Sequence, residues 1–415
     1  VSVAAAPAAA APPGAARRDP AAPPVVFAVF QTGDRSNGGV ESITQVIERV
    51  RRVRPVVVTQ LETPVNERWR AAGARVEVWP IPYRPGAAMG RRPLEIARRA
   101  ASIAATNLRM RRLVREVGAR VVHCNDISAL MHTAAGARAA GAAVVQNIRD
   151  TKAPGERWGA RWRVAHRLAA RTIVLSREMR DEVLRAVGAA PGDARVEAVY
   201  SAVDLERMRP PTRAEREAAR ASLGAAEGCF TAAYVAAFNP KKAQLELIRR
   251  AGPLLAARLP GAQVVFVGDF DPARSPYAAA CRDAVAELGL GGVFRFQDFR
   301  ADVETVYRGA DAVLLASRQE GLARCMIEAM ACGTPVVSFG VCSAREMLEG
   351  EGAGVVAPQG DYAAMVDALA ALAADPAAAA EMGAKGARAA RRLFEPARAV
   401  ERYETMYLQL AEARP

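Results

Sequence analysis

At 415 residues the chain exceeds the usual size of one domain, so two domains with separate cores are expected. Its six cysteines, at 124, 229, 281, 325, 332 and 342, contain no Cys-x-x-Cys pair, and His123, His132 and His166 are scattered. This argues against a disulfide framework or a structural zinc site and for a reducing compartment. The formal charge of +13 is one-sided: residues 1–205 carry 32 Lys plus Arg against 18 Asp plus Glu, and the remainder 25 against 26.

Residues 1–24, rich in Ala and Pro with no Leu-rich core, read as a disordered tail rather than a signal peptide. Short β-branched or aromatic runs then alternate with helical patterns. They are "VVFAVF" (25–30), "RPVVVTQ" (54–60), "ARVEVW" (74–79), "ARVVHC" (119–124), "GAAVVQN" (141–147), "RTIVLS" (171–176) and "RVEAVY" (195–200). Continuously apolar strands joined through helices predict a parallel sheet covered on both faces. The basic clusters of this half, such as "RVRRVR" (49–54) and "RMRRLVR" (109–115), fit three readings. They are solvated helix faces, an anionic partner, or nucleic acid, and no nucleic-acid module appears to support the last. Trp158 and Trp162 interleave with Arg157, Arg161, Arg163 and Arg167, a pattern that suits peripheral contact with an anionic membrane or a lipid-linked acceptor.

Residues 206–228, charged and containing Pro210-Pro211, read as a linker and lead-in helix between a first domain at 25–205 and a second at 229–392. The second domain repeats the pattern with "CFTAAYVAAF" (229–238), "AQVVFVG" (262–268), "GVFRFQ" (292–297), "ADAVLLAS" (310–317), "TPVVSF" (334–339) and "AGVVAP" (353–358). Two tandem doubly wound α/β domains follow, whose ligands bind beyond the carboxyl ends of the strands in a shared cleft. Residues 393–415 predict a final helix beginning at Pro396, with Val400, Tyr403, Met406 and Tyr407 on one face and the first domain as a possible seat. No apolar run approaches the roughly 18 residues of a spanning helix, so a cytoplasmic placement is expected.

The stretch "ASRQEGLARCMIEAMACGTPVV" (316–337) places two acids in an otherwise small or apolar run. A strand ending at Ser317 and a helix beginning near Leu322 or Ala323 put Glu320 in the strand-end crevice and Glu328 in the second turn. A carboxylate flanked by Met326, Ile327, Ala329 and Met330 needs a partner, and a hydroxyl-rich ligand supplies donors. Free amides at the helix start suit a phosphate.

These residues carry a resemblance to the retaining GT-B glycosyltransferases of family 4, covering about residues 25 to 410. The family's E-x7-E motif is matched by Glu320 and Glu328. "VVAPQGD" resembles its late donor-domain turn, and "NGGVES" its early Gly-Gly loop, which adds Gly39 to the donor-binding positions. The resemblance implies transfer from a UDP-, GDP- or other nucleotide sugar to a hydroxyl acceptor, with no tightly bound cofactor and no metal. Glu328 would hold ribose, Glu320 the donor sugar, and the amides of Gly321, Leu322 and Ala323 the diphosphate or sugar. Glu346 matches the family's late Glu, while Cys342 and Ser343 replace the Gly-Gly before it, a change expected to reshape that loop.

Two further departures are legible. In "AAFNPKKA" the family's diphosphate-binding Lys is matched by Lys242, but Ala237 stands at the Arg position. Lys241 and Arg318 are the candidate replacements. In "VVHCND" the family's second His becomes Asn125, followed by Asp126, a candidate base; "NIRD" places Arg149 or Asp150 near the same opening. These departures motivate an alternative, a catalytically impaired GT-B protein that binds nucleotide sugar or acts as a scaffold.

Overall fold

The computed structural model describes residues 19–31, 38–82, 93–152, 156, 158–226 and 228–413. Residues 1–18 of the expected tail, Asn37 of the Gly-Gly segment and Arg157 lie outside the described residues.

Each of the thirteen apolar runs forms a strand. In the first domain these are β1 (Pro24–Ala28), β2 (Arg54–Thr59), β3 (Arg75–Val78), β4 (Val121–Cys124), β5 (Ala143–Asn147), β6 (Arg171–Val174) and β7 (Val196–Ala198). In the second they are β8 (Thr231–Val235), β9 (Gln263–Val267), β10 (Phe294–Gln297), β11 (Ala312–Leu315), β12 (Val336–Phe339) and β13 (Gly354–Ala357). The sheets run β3-β2-β1-β4-β5-β6-β7 and β10-β9-β8-β11-β12-β13. Every pairing is parallel. Strand order therefore reverses between β1 and β4 and between β8 and β11, and the crevice of each domain opens at those carboxyl ends.

Helices cover both faces of the first sheet. Val26, Val58, Val122 and Val144 meet Met110, Leu113 and Leu130 on one side. Val25, Phe27, Val57 and Val121 meet Ile43, Ile47 and Trp69 on the other. That second face is completed from the far end of the chain. Helix Pro396–Glu412 lays Val400, Tyr403, Met406 and Tyr407 on it, all buried. Tyr407 fills the space beside Phe27 and its hydroxyl pairs with His123 Nδ1 at 2.9 Å. Glu404 accepts from the backbone amides of Arg51 and Arg52 at 2.5 and 2.6 Å.

The segment between the sheets contains helix Arg213–Ser222, started by a reciprocal capping box between Thr212 and Glu215. Its Arg216 and Arg220 grip the two oxygens of Asp311 at 2.7 and 2.8 Å. A Cβ on Gly309 would come within 2.8 Å of the Ala219 backbone, so this helix is packed tightly against the second domain.

Trp158 donates to Glu182 at 3.1 Å and meets Trp162 edge-on with centroids 4.8 Å apart, and Trp162 is buried in a core cluster. Trp158 is half-buried, and the Arg161 guanidinium lies over the Trp162 ring, 5.8 Å from its centroid. No single helix among the described residues is long and apolar enough to cross one.

Candidate active site

The loop after β11 carries Glu320, whose side chain pairs with Lys242 Nζ. Lys242 ends a short 3-10 turn, Pro240–Lys242, entered through Asn239, whose side chain accepts from the Lys242 amide. Burial works against the ammonium, but Glu320 outweighs it and the Lys242 pKa lies above its ordinary value. Tyr234 on β8 is fully buried, and its hydroxyl donates to the Lys242 carbonyl, which ties the turn to the sheet.

Glu328 projects from helix Arg324–Ala331 and is 8% exposed. Tyr307 donates to one of its oxygens at 2.9 Å, and Arg324 holds the other through Nε at 2.9 Å and a second guanidinium nitrogen at 2.7 Å. Burial pushes the Cys325 thiol up to about 12, and the charge of Lys242 opposes the shift while those of Glu320 and Glu328 add to it. Among the described residues the amides of Gly321, Leu322 and Ala323 find no protein acceptor, although all three residues are buried. Unsatisfied buried amides at a helix start are an anion seat.

The first domain closes over this loop. Thr151 Oγ1 donates to the Glu320 carbonyl at 2.9 Å, and a Cβ on Gly321 would strike the Arg149 carbonyl at 2.3 Å. Only glycine permits that approach. Arg324 reaches back across the cleft: its Nη1 lies 3.2 Å from Ser42 Oγ and 3.3 Å from the Ala202 carbonyl, and its methylenes lie over Gly38. Beside them Asn125 Nδ2 is 3.4 Å from the Gly39 carbonyl and its Oδ1 3.4 Å from Arg149 Nη1.

Other expected residues are engaged elsewhere. Asp126 caps helix Ile127–Ala139 by accepting from the Ala129 amide at 2.8 Å, and burial raises its carboxyl pKa. That bond commits one of its oxygens to the fold. Arg318, exposed, pairs with Glu246, and Lys241 pairs across the cleft with Asp150, so neither proposed replacement for Ala237 is a free cation. Glu346 faces the first domain, where Tyr200 Oη, Arg177 Nε and the Glu178 amide all donate to it. Ser343 keeps the glycine-like backbone of the position it replaces, φ 72°, and its hydroxyl bonds the Gly321 carbonyl at 2.6 Å and Ser176 Oγ at 2.7 Å.

A cavity of about 520 Å³ opens beside Glu320 between the domains, lined by Thr151, Trp158, Glu182, Arg318, Gln319 and Cys342 among others. Phe270, just past β9, and Phe296 on β10 stack with centroids 4.2 Å apart. Among the described residues no group of three or more His, Cys, Asp or Glu is placed to hold a metal ion.

Sequence reading passed over Arg324 and Tyr307. Arg324 left a signal, because an Arg one turn before a Glu on a helix makes an i,i+4 pair. Tyr307 left none, since its helix precedes β11 and only packing brings it to Glu328.

Two parallel-sheet domains with Rossmann-like order, facing a polar cleft, define the GT-B class. Two family models divide the chain: "Glycosyltransferase Family 4" over residues 37–207 and "Glycosyl transferases group 1" over residues 215–389. The chain belongs to the family 4-like GT-B glycosyltransferases. It is 34% identical over 226 residues to a D-inositol 3-phosphate glycosyltransferase of Saccharomonospora viridis, covering 53% of this chain and 51% of that protein. A Mycobacterium tuberculosis (strain H37Ra) protein of the same name is 35% identical over 179 residues, 42% of this chain and 34% of that protein. The chain thus spans about half, or less, of the length of these curated relatives. Among solved structures, Anabaena HepE in complex with UDP and glucose superposes with a TM-score of 0.74 at 19% identity, covering 92% of this chain and 98% of HepE. Sucrose-phosphate synthase from Thermosynechococcus elongatus also gives 0.74 at 19% identity, with 94% and 99% coverage.

Proposed function

We propose that the protein is a retaining glycosyltransferase that moves a sugar from a nucleoside diphosphate sugar to an acceptor hydroxyl. The observation that carries this reading is the convergence of Lys242, Glu320, Glu328 and the unsatisfied amides of Gly321 to Ala323 at the carboxyl end of β11. One ligand class matches all of them. Ribose hydroxyls suit Glu328, sugar hydroxyls suit Glu320, and a diphosphate suits Lys242 and the amides. Structural neighbours crystallised with UDP or UDP-glucose make a UDP-sugar the first donor to try. The relatives' name makes a phosphorylated polyol a reasonable first acceptor.

No carboxylate is needed as a covalent nucleophile in this reading. The acceptor hydroxyl attacks from the face the diphosphate leaves, the C1–oxygen bond to phosphate breaks, and the acceptor proton passes to a phosphate oxygen. Lys242 and the amides stabilise the charge that develops on the leaving group, and positioning supplies the rest. Asn125, with no proton to accept at neutral pH, orients the acceptor. Domain 25–205 would bind the acceptor and domain 229–392 the donor. Nothing in the geometry favours the scaffold alternative, because the residues that would handle the donor converge.

The test is a panel of UDP-, GDP- and ADP-sugars assayed for transfer and for slow donor hydrolysis, with the anomeric configuration of the product read by NMR. A product with inverted configuration overturns the retaining reading. A protein that binds nucleotide sugar yet neither transfers nor hydrolyses it returns the scaffold reading.

A further inference from the structure

Arg149, half-buried with its Nε enclosed, stands apart from the other charges of the cleft. It follows β5 at the floor of the cleft, its Nε is fully buried without an acceptor, and among the described residues its one side-chain hydrogen-bond partner is Asn125 Oδ1, 3.4 Å from Nη1. No carboxylate among the described residues lies within ion-pair distance of it. A desolvated guanidinium without a counter-charge is costly, and the fold does not neutralise it from within. Burial pushes its pKa down to about 10; Tyr403 and Asp126 oppose the shift, and the nearby charge of Arg324 adds to it.

Arg324 is the second member. It comes from the opposite domain and is tied to Glu328, Ser42 and the Ala202 carbonyl. Both side chains border the Gly38-Gly39 segment: Arg324 lays its methylenes over Gly38 and its guanidinium against Ser42, whose hydroxyl bonds the Gly38 carbonyl, and Arg149 meets Asn125, which reaches the Gly39 carbonyl. One Arg from each domain thus flanks the Gly38-Gly39 segment, and both residues adjoin the stretch Gly321 to Ala323 that carries the unsatisfied amides, Arg324 as its next residue in the chain and Arg149 through its backbone. The Arg149 carbonyl itself touches Gly321.

We propose that Arg149 and Arg324 form a phosphate site that spans the cleft, one guanidinium from each domain. This rests on the donor reading above and deepens it. The site supplies the guanidinium chemistry that Ala237 lacks. When ribose hydroxyls take up Glu328, Arg324 exchanges its carboxylate for the phosphate, so that occupation of the donor domain and closure of the acceptor domain on it become one event. The phosphate comes either from the donor's diphosphate or from a phosphorylated acceptor, and the chemistry of recognition is the same for both.

The wild type, Arg149→Met and Arg324→Gln are titrated calorimetrically with UDP and with uridine, and their thermal midpoints are followed with inorganic phosphate, alone and on the UDP complex. If the donor is the source, each variant weakens UDP at least tenfold more than it weakens uridine, and Arg149→Met, which does not touch Glu328, leaves uridine within twofold. If the acceptor is the source, UDP stays within twofold and the phosphate-induced stabilisation disappears. Either result supports the site. UDP and phosphate responses both within twofold of wild type in both variants overturn it, as does a wild type that responds to neither UDP nor phosphate. A wild type that binds no nucleotide but is stabilised by phosphate, with that effect lost in Arg149→Met, defeats the donor reading and leaves the phosphate site standing. The ligand-free midpoint separates function from structure: removal of an unpaired buried charge leaves it unchanged or higher in Arg149→Met. A lower midpoint with unaltered anion binding assigns Arg149 to the fold and ends the proposal.

Discussion

Arg324 and Glu328 face each other one helical turn apart, with a guanidinium nitrogen 2.7 Å from Glu328 Oε1, while Tyr307 donates to Oε2 at 2.9 Å. The carboxylate assigned to ribose is therefore held in a fixed rotamer by two donors before any ligand arrives. A buried acid so held is preorganised, and ribose hydroxyls need only replace or join existing donors.

Glu328→Ala removes a charged acceptor from the proposed ribose and strips Arg324 of its partner. Hydrogen bonds to a charged group contribute about 1.5–3 kcal/mol, so donor affinity should fall about 10- to 100-fold. Calorimetric titration with the nucleoside diphosphate measures it. Unchanged affinity and turnover in the variant mean that ribose is bound elsewhere.

Lys242→Ala should act on turnover more than on binding. Loss of one preorganised donor to a leaving group costs about 10²- to 10³-fold in kcat. Lys242→Arg keeps the charge next to Glu320 and should retain part of the rate. Full kcat in Lys242→Ala would assign the leaving diphosphate to another cation, with Arg149 and Arg324 the first to examine.

Ser343 tests how the replaced glycine loop is held. A left-handed backbone at a residue with a Cβ costs about 1–2 kcal/mol, and here the hydroxyl offsets it through Gly321 and Ser176. Ser343→Ala keeps the strain and loses the bonds, so it should unfold about 2 kcal/mol more easily than the wild type. Ser343→Gly loses both and should fall between the two. Should Ser343→Ala prove as stable as the wild type in urea unfolding, the hydroxyl bonds carry no stability.

His123 sets an acid limit on the first domain. It is fully buried against Tyr407, and burial, with the Arg149 charge adding to it, holds its pKa down to about 3. Because the folded-state value is depressed, the unfolded chain binds the proton more readily. The contribution is complete above the unfolded value near 6.5 and is lost as pH falls towards about 3. Stability should thus drop by about 1.4 kcal/mol per pH unit below 6.5 from this residue. His132 and His166 are also lowered, first by burial, and act in the same sense. His123→Gln should flatten the slope in unfolding measured between pH 5 and 7; an unchanged slope would show that the buried histidine does not titrate in that range.

Strand positions, the double winding of both domains and the two acids at the end of β11 were legible because each is local. Apolar runs of five or six residues recur at the spacing of βαβ units, and Glu320 and Glu328 stand at fixed offsets from a strand end. The i,i+4 pairing of Arg324 with Glu328 was equally local and could have been read. Tertiary structure alone decided the rest. The facing of the two domains placed β5 opposite β11, and this set Arg149 against Gly321, with no carboxylate among the described residues paired to it. Closure of the domains committed Glu346 to Tyr200, Lys241 to Asp150 and Ser343 to Ser176, and the last helix returned to bury His123 under Tyr407. The reason is physical: a strand forms from the pattern of its own residues, whereas the partner of a buried charge is fixed by which distant segments the sheet brings within about 3 Å of it.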